Sequence, residues 1–198
     1  MSQNGPILVS LARALVAKFP PHVTFEERLM AIGMYAASIP IYQRQLGAIS
    51  KILEKGSAWA TGRKVEEAVL GATRLIPDML PLTRQVQIAC RFAEESAARL
   101  AGVEIPKAPE NAEKTLAELR ARIAAVLAYL KGFKPEQIDG SEGREVVLTI
   151  AGNPLKLTGE QYLLHFAMPN FYFHCTTTHA ILRQCGVEIG KRDFIGGL

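Results

Sequence analysis

Thr158-Gly-Glu-Gln-Tyr-Leu-Leu-His-Phe-Ala-Met-Pro-Asn-Phe-Tyr-Phe-His-Cys-Thr-Thr-Thr-His-Ala-Ile-Leu-Arg-Gln-Cys-Gly186 is the stretch on which the reading of this chain turns. Thr158-x-x-Gln161 is a capping box, in which the side chains of the first and fourth residues satisfy backbone amides that a helix start leaves open. Beyond it, Leu164, Ala167, Phe171, His174, Thr178 and Ile181 step by alternating threes and fours, the period of one helix face turned to a core. Gly186 stops the run. Pro169 has no amide hydrogen, so it should interrupt the ladder, free the carbonyl of His165 and kink the helix.

Three more helices of the same kind precede it. Ile39, Tyr42, Leu46, Ile49 and Leu53 form the stripe of a helix from about Ser38 to Lys55, ended by Gly56. A short helical piece is expected around 65–72, and a Pro77 to Pro81 turn follows. A second long helix then runs to Ala101, with Leu82, Val86, Ala89, Ala93 and Leu100 inward and Gly102 as its stop. Asn111 is a good cap for a third, striped by Leu116, Leu119, Ile123, Val126 and Leu130. Between the third and fourth helices the period changes to two. Val146, Leu148 and Ile150 alternate, Gly152-Asn153 turns, and Leu155 and Leu157 alternate back, which is a small hairpin. The fold expected is an all-α four-helix bundle with one β-hairpin, its helices crossing at roughly 20°. The tail after Gly186 should pack back through Val187, Ile189 and Phe194. Residues 1–29 read as an N-terminal extension and 30–198 as the domain.

Composition excludes several functions. The net charge is +4 and the pI about 9.0, yet the longest basic runs are the pairs Arg63-Lys64 and Lys191-Arg192. A nucleic-acid surface needs Lys and Arg gathered with aromatics, so no nucleic-acid partner is expected. Cys90, Cys175 and Cys185 are odd in number and form no C-x-x-C pair, which argues against a disulfide framework or a zinc knuckle. No apolar run approaches the ~20 residues of a membrane span, and the N-terminus lacks a signal-peptide pattern. A cytoplasmic compartment is expected.

Chemistry could live where polar residues fall on the inward stripe of the last helix. His174 and Thr178 occupy core positions, Asn170 lies one turn earlier and Thr177 beside them. Gln85 follows Leu82 by three and precedes Ala89 by four, so it can face the same interior. His174 is expected to bond Gln85, with help from Thr178 or Asn170. Asp78, in the preceding turn, is either a pocket residue or a helix cap. The bland alternative is a satisfied hydrogen-bond network inside a core. A complete histidine metal site is not expected: His174 and His179 project about 140° apart, and neither they nor His165 have the i, i+4 spacing that shares a cation.

Asp78-Met-Leu-Pro-Leu-Thr-Arg-Gln-Val-Gln-Ile-Ala, the PNFYFH-x-TT block from Pro169 and the IGKRDF block from Ile189 resemble an uncharacterised bacterial and fungal family of the DinB/YfiT-like superfamily of proposed metalloenzymes. The resemblance implies a DinB-like bundle, often dimeric. It also implies a divalent-metal site from one second-helix residue and an i, i+4 pair on the fourth helix. The matching positions hold Gln85, Asn170 and His174, a degenerate set, so no cofactor is expected. Small-molecule binding in an interior pocket is the leading expectation. The alternatives are a metal- or thiol-dependent transferase or hydrolase, and a structural dimer paired through apolar residues such as Ile41, Val69 and Ile88.

Overall fold

In the computed structural model, residues 32–107, 110–150 and 152–197 are described, and the expected extension 1–29 lies outside them. Helices α1 (Ile39–Arg63), α3 (Leu82–Ala101), α4 (Leu116–Leu130) and α7 (Met168–Gln184) are the long elements. They close a ring in which α1 packs on α4, α4 on α3, α3 on α7 and α7 on α1. Short helices α2 (Glu67–Ala72) and α5 (Pro135–Ile138) bridge them, and β1 (Glu145–Ile150) pairs antiparallel with β2 (Asn153–Thr158). Among the described residues no helix is long and apolar enough to cross a membrane.

Two boundaries differ from the expected ones. Gly56 does not end α1; it is buried within it, where a β-carbon would stand 3.0 Å from Leu116 Cδ1 and 3.4 Å from Leu182 Cδ2. The glycine serves close helix approach, and α1 instead stops at Lys64, whose φ of 56° is left-handed. Nor does Asn111 cap the third long helix. Thr115 does, in a capping box with Glu118, while Asn111 Oδ1 accepts from Arg122 at 3.3 Å. A Thr with Glu three residues on satisfies two open amides, whereas Asn alone satisfies one.

The fourth long helix opens as expected, with Thr158 and Gln161 capping α6 (Gly159–Gln161). A π-helical stretch, Tyr162–Ala167, then leads into α7, with the Met168 amide donating to the Leu163 carbonyl five residues back. This widened turn comes immediately before Pro169, whose missing donor falls where the backbone ladder changes from π to α. The extra residue resets the phase of the stripe. Leu164, expected inward, is 46% exposed, and Leu163 is buried in its stead; Ala167, Phe171, Thr178 and Ile181 are buried as the spacing predicts. Past α7, Val187 and Ile189 are buried, Gln45 Nε2 donates to the Phe194 carbonyl at 3.0 Å, and α8 (Lys191–Ile195) rests on α1.

Candidate functional site

The seam between α3 and α7 gathers several buried polar groups, Gln85, Ser96, Thr177 and Thr178. His174 Nδ1 lies 2.7 Å from Gln85 Oε1, and Gln85 Nε2 donates to the Leu80 carbonyl at 2.9 Å. Leu80 ends the Pro-flanked turn ahead of α3, so this turn fixes which way the amide points. With the amide nitrogen spent on a carbonyl, the oxygen faces the imidazole, and Nδ1 must carry the proton. The lone pair of the neutral ring is then on Nε2, which no described residue engages. Burial holds the His174 pKa below the usual imidazole range, so the ring is neutral at neutral pH. Phe92 stacks on it at 6.1 Å between centroids, and Phe173 meets it edge-on at 5.4 Å.

The other expected site residues serve their own helix. Asn170 Nδ2 donates to the Phe166 carbonyl, Thr177 Oγ1 to that of Phe173 and Thr178 Oγ1 to that of His174, at 2.7, 2.8 and 2.9 Å. Thr178 thus reaches the backbone of His174 and not its ring. Asp78 is exposed, and it is not the cap of α3: Pro81 holds that position with no side-chain cap. His165 is exposed and His179 lies against Phe194 at the tail, so the three α7-side histidines diverge.

These residues do not fit the divalent metal that the resemblance implies. Gln85 has turned both amide atoms to His174 and Leu80, Asn170 has only an amide oxygen to offer, a poor partner for such ions, and only His174 Nε2 remains as a strong donor. Among the described residues, no group of three or more His, Cys, Asp and Glu is placed to hold an ion.

A feature that residue-by-residue reading missed adjoins this seam. A cleft of about 530 Å³ opens between α3, the π-helical stretch, the hairpin and α4. Phe92, stacked on His174, lines it together with Phe166, 5.9 Å from Phe92. Arg84, Arg91 and Arg99 of α3 and Arg122 of α4 line it too. Glu95 bridges Arg91 at 2.6 Å and Arg99 at 3.1 Å, and Arg122 pairs with Glu113 at 3.0 Å. Beside them Glu94 is half-buried, and desolvation raises its carboxyl pKa. The basic residues are dispersed along the chain, but the fold collects four of them. The available signal was their spacing on α3, seven and then eight residues, which is about two helical turns each time.

A family model described as a domain of unknown function, DUF1993, matches residues 34–195. The crystal structure of a DinB family member protein from Shewanella denitrificans is similar, with a TM-score of 0.75 and 39% identity, over 83% of this chain and 92% of that one. No curated protein matches.

Proposed function

The chain belongs to the DUF1993 family and shares the DinB-like fold, and from that premise we propose that it binds a small organic molecule in the cleft, with His174 stacked behind the lining residue Phe92. The observation that carries this is the fixed tautomer. A bond from Nδ1 to a held amide leaves Nε2 as an acceptor with no donor among the described residues, in a half-buried aromatic setting. A plain core network would close both ring nitrogens. The size of the cleft suits a small ligand, and such sites combine apolar walls with few fixed polar groups. A small-molecule panel screened by melting temperature tests the reading. Ligands that stabilise the protein should lose that effect in His174→Ala and Phe92→Ala. Stabilisation that survives both changes would contradict it.

The same nitrogen suits a second reading, as a general base in transferase or hydrolase chemistry, because a neutral imidazole with an open lone pair can take a proton. In that case His174→Gln would retain ligand binding and lose turnover. The quaternary state we propose is a homodimer. Val69 is 56% exposed, Phe173 55% and Leu164 46%, while Ile41 and Ile88 are half-buried. Isologous pairing is the commonest way to cover such residues. Light scattering should give twice 21.6 kDa, and a monomer mass would refute it. Three unbridged cysteines support a reducing, cytoplasmic setting.

A further inference from the structure

The charge lining the cleft deepens the binding reading, on which this inference rests. We infer that the cleft takes an amphiphilic organic anion, its carboxylate or phosphate held at Arg84 and Arg122 and its apolar body laid along Phe92 and Phe166.

The two arginines end one continuous polar chain. Arg84 donates to Gln87 Oε1 at 2.8 Å, Gln87 Nε2 donates to Glu113 Oε2 at 2.8 Å, and Glu113 accepts from Arg122. Among the described residues Arg84 meets only this neutral amide and no carboxylate, although it carries a full positive charge and five donors. Arg122 has a side chain only 7% exposed, and its Nε is buried without a partner. Glu113 and the Asn111 Oδ1 both meet one of its terminal nitrogens, so a guanidinium so far out of water still has donors to satisfy. Arg122 also lines the cleft. Four guanidiniums line the cleft against three carboxylates, Glu95 and Glu113 in ion pairs with Arg91, Arg99 and Arg122 and Glu94 beside Arg91 and Arg122, which leaves an excess of positive charge. Guanidinium forks match carboxylate and phosphate oxygens in geometry as well as charge.

The aromatic part of the lining asks for an apolar group. The aromatic rings run as a series, Tyr162 to Phe166 at 6.1 Å, Phe166 to Phe92 at 5.9 Å and Phe92 to His174 at 6.1 Å. Ile150 of the hairpin lines the same space and remains 43% exposed. A free inorganic ion would leave this surface wet, and a neutral arene would leave Arg84 unanswered. A molecule with an anionic head and an apolar body meets both.

Calorimetric titration of the full chain with phenyl phosphate, phenylacetate, phenylacetamide and inorganic phosphate tests this. Phenyl phosphate and phenylacetate should bind, and whichever binds more tightly tells which head group the arginines prefer. Phenylacetamide should bind about tenfold or more weakly than phenylacetate, the loss expected for charge-assisted hydrogen bonds. Arg84→Gln should remove that difference without unfolding the protein, since Arg84 has no ion pair among the described residues to break, and Lys51→Gln should change nothing. Binding should weaken as salt is raised. Equal binding of phenylacetate and phenylacetamide would overturn the anionic preference while leaving the cleft as a ligand site. Inorganic phosphate binding as tightly as phenyl phosphate would overturn the apolar half. Unchanged affinity in Arg84→Gln would overturn the location. Failure of all four probes would overturn the inference, and the small-molecule panel with His174→Ala would still judge the binding reading separately.

Discussion

The α1–α4 and α3–α7 seams are the two most extensive helix contacts among the described residues, and they are built on opposite plans. On α1 and α4 the buried residues are mostly aliphatic, with Ile49, Ile52 and Leu53 on one helix and Leu116, Leu119, Ile123 and Val126 on the other, and Gly56 lets the helices approach. Between α3 and α7 the buried set includes Gln85, Ser96, Cys90, Cys175, Thr177 and Thr178. Here the neighbouring π-helical stretch breaks the α-helical phase, and Ser96 shares a 3.2 Å hydrogen bond with Tyr162. An apolar seam is held by area and shape, which any well-packed set of side chains supplies. A polar seam must pair its groups one by one, and the nitrogen it leaves open is the one that points to function.

The contrast can be broken first on the apolar side. Ile52 is fully buried, so Ile52→Ala should cost about 2–5 kcal/mol of unfolding free energy, measured by urea titration. A loss under 1 kcal/mol would mean that the α1 side is not the structural half.

On the polar side, Gln85→Ala should cost about 1–3 kcal/mol, because it strands the His174 Nδ1–H and the Leu80 carbonyl. The double variant with His174→Ala should cost less than the sum of the two single changes. Strict additivity in that cycle would deny the bond.

The pH dependence of stability follows from the lowered His174 pKa. In the pH window between the folded value and the unfolded value near 6.5, the unfolded chain binds more protons than the folded one. Stability is therefore complete above about pH 6.5 and is lost as pH falls below it, and His174→Gln should flatten this slope. A slope of the opposite sign would mean that the folded protein favours the imidazolium. The smallest effect is expected at the exposed pair Lys156–Glu145 on the hairpin, where Glu145→Gln should change stability by about 0.5 kcal/mol or less.

The two seams also differ in how far the sequence reveals them. The stripes of α1 and α4 could be read off their spacing, since burial there depends on period alone. On the polar seam the spacing put Gln85 opposite His174 and put Phe171, Thr178 and Ile181 inward, which the structure bears out geometrically. It misplaced Leu164, because a π-helical turn adds a residue that no 3.6 period contains. It also set Asn170 and Thr178 toward the imidazole, whereas short polar side chains on a helix find their own backbone carbonyls first. The arginine-lined cleft needed the tertiary fold, since Arg122 comes from another helix.

Gln85 locks His174 as a neutral ring with its lone pair on Nε2. Long-range proton–nitrogen NMR of histidine-labelled protein at neutral pH reads this directly. His174 should show a pyrrole-like Nδ1 and a pyridine-like Nε2, with the distinction lost in Gln85→Ala. A pyridine-like Nδ1, or two equivalent imidazolium nitrogens, would contradict it.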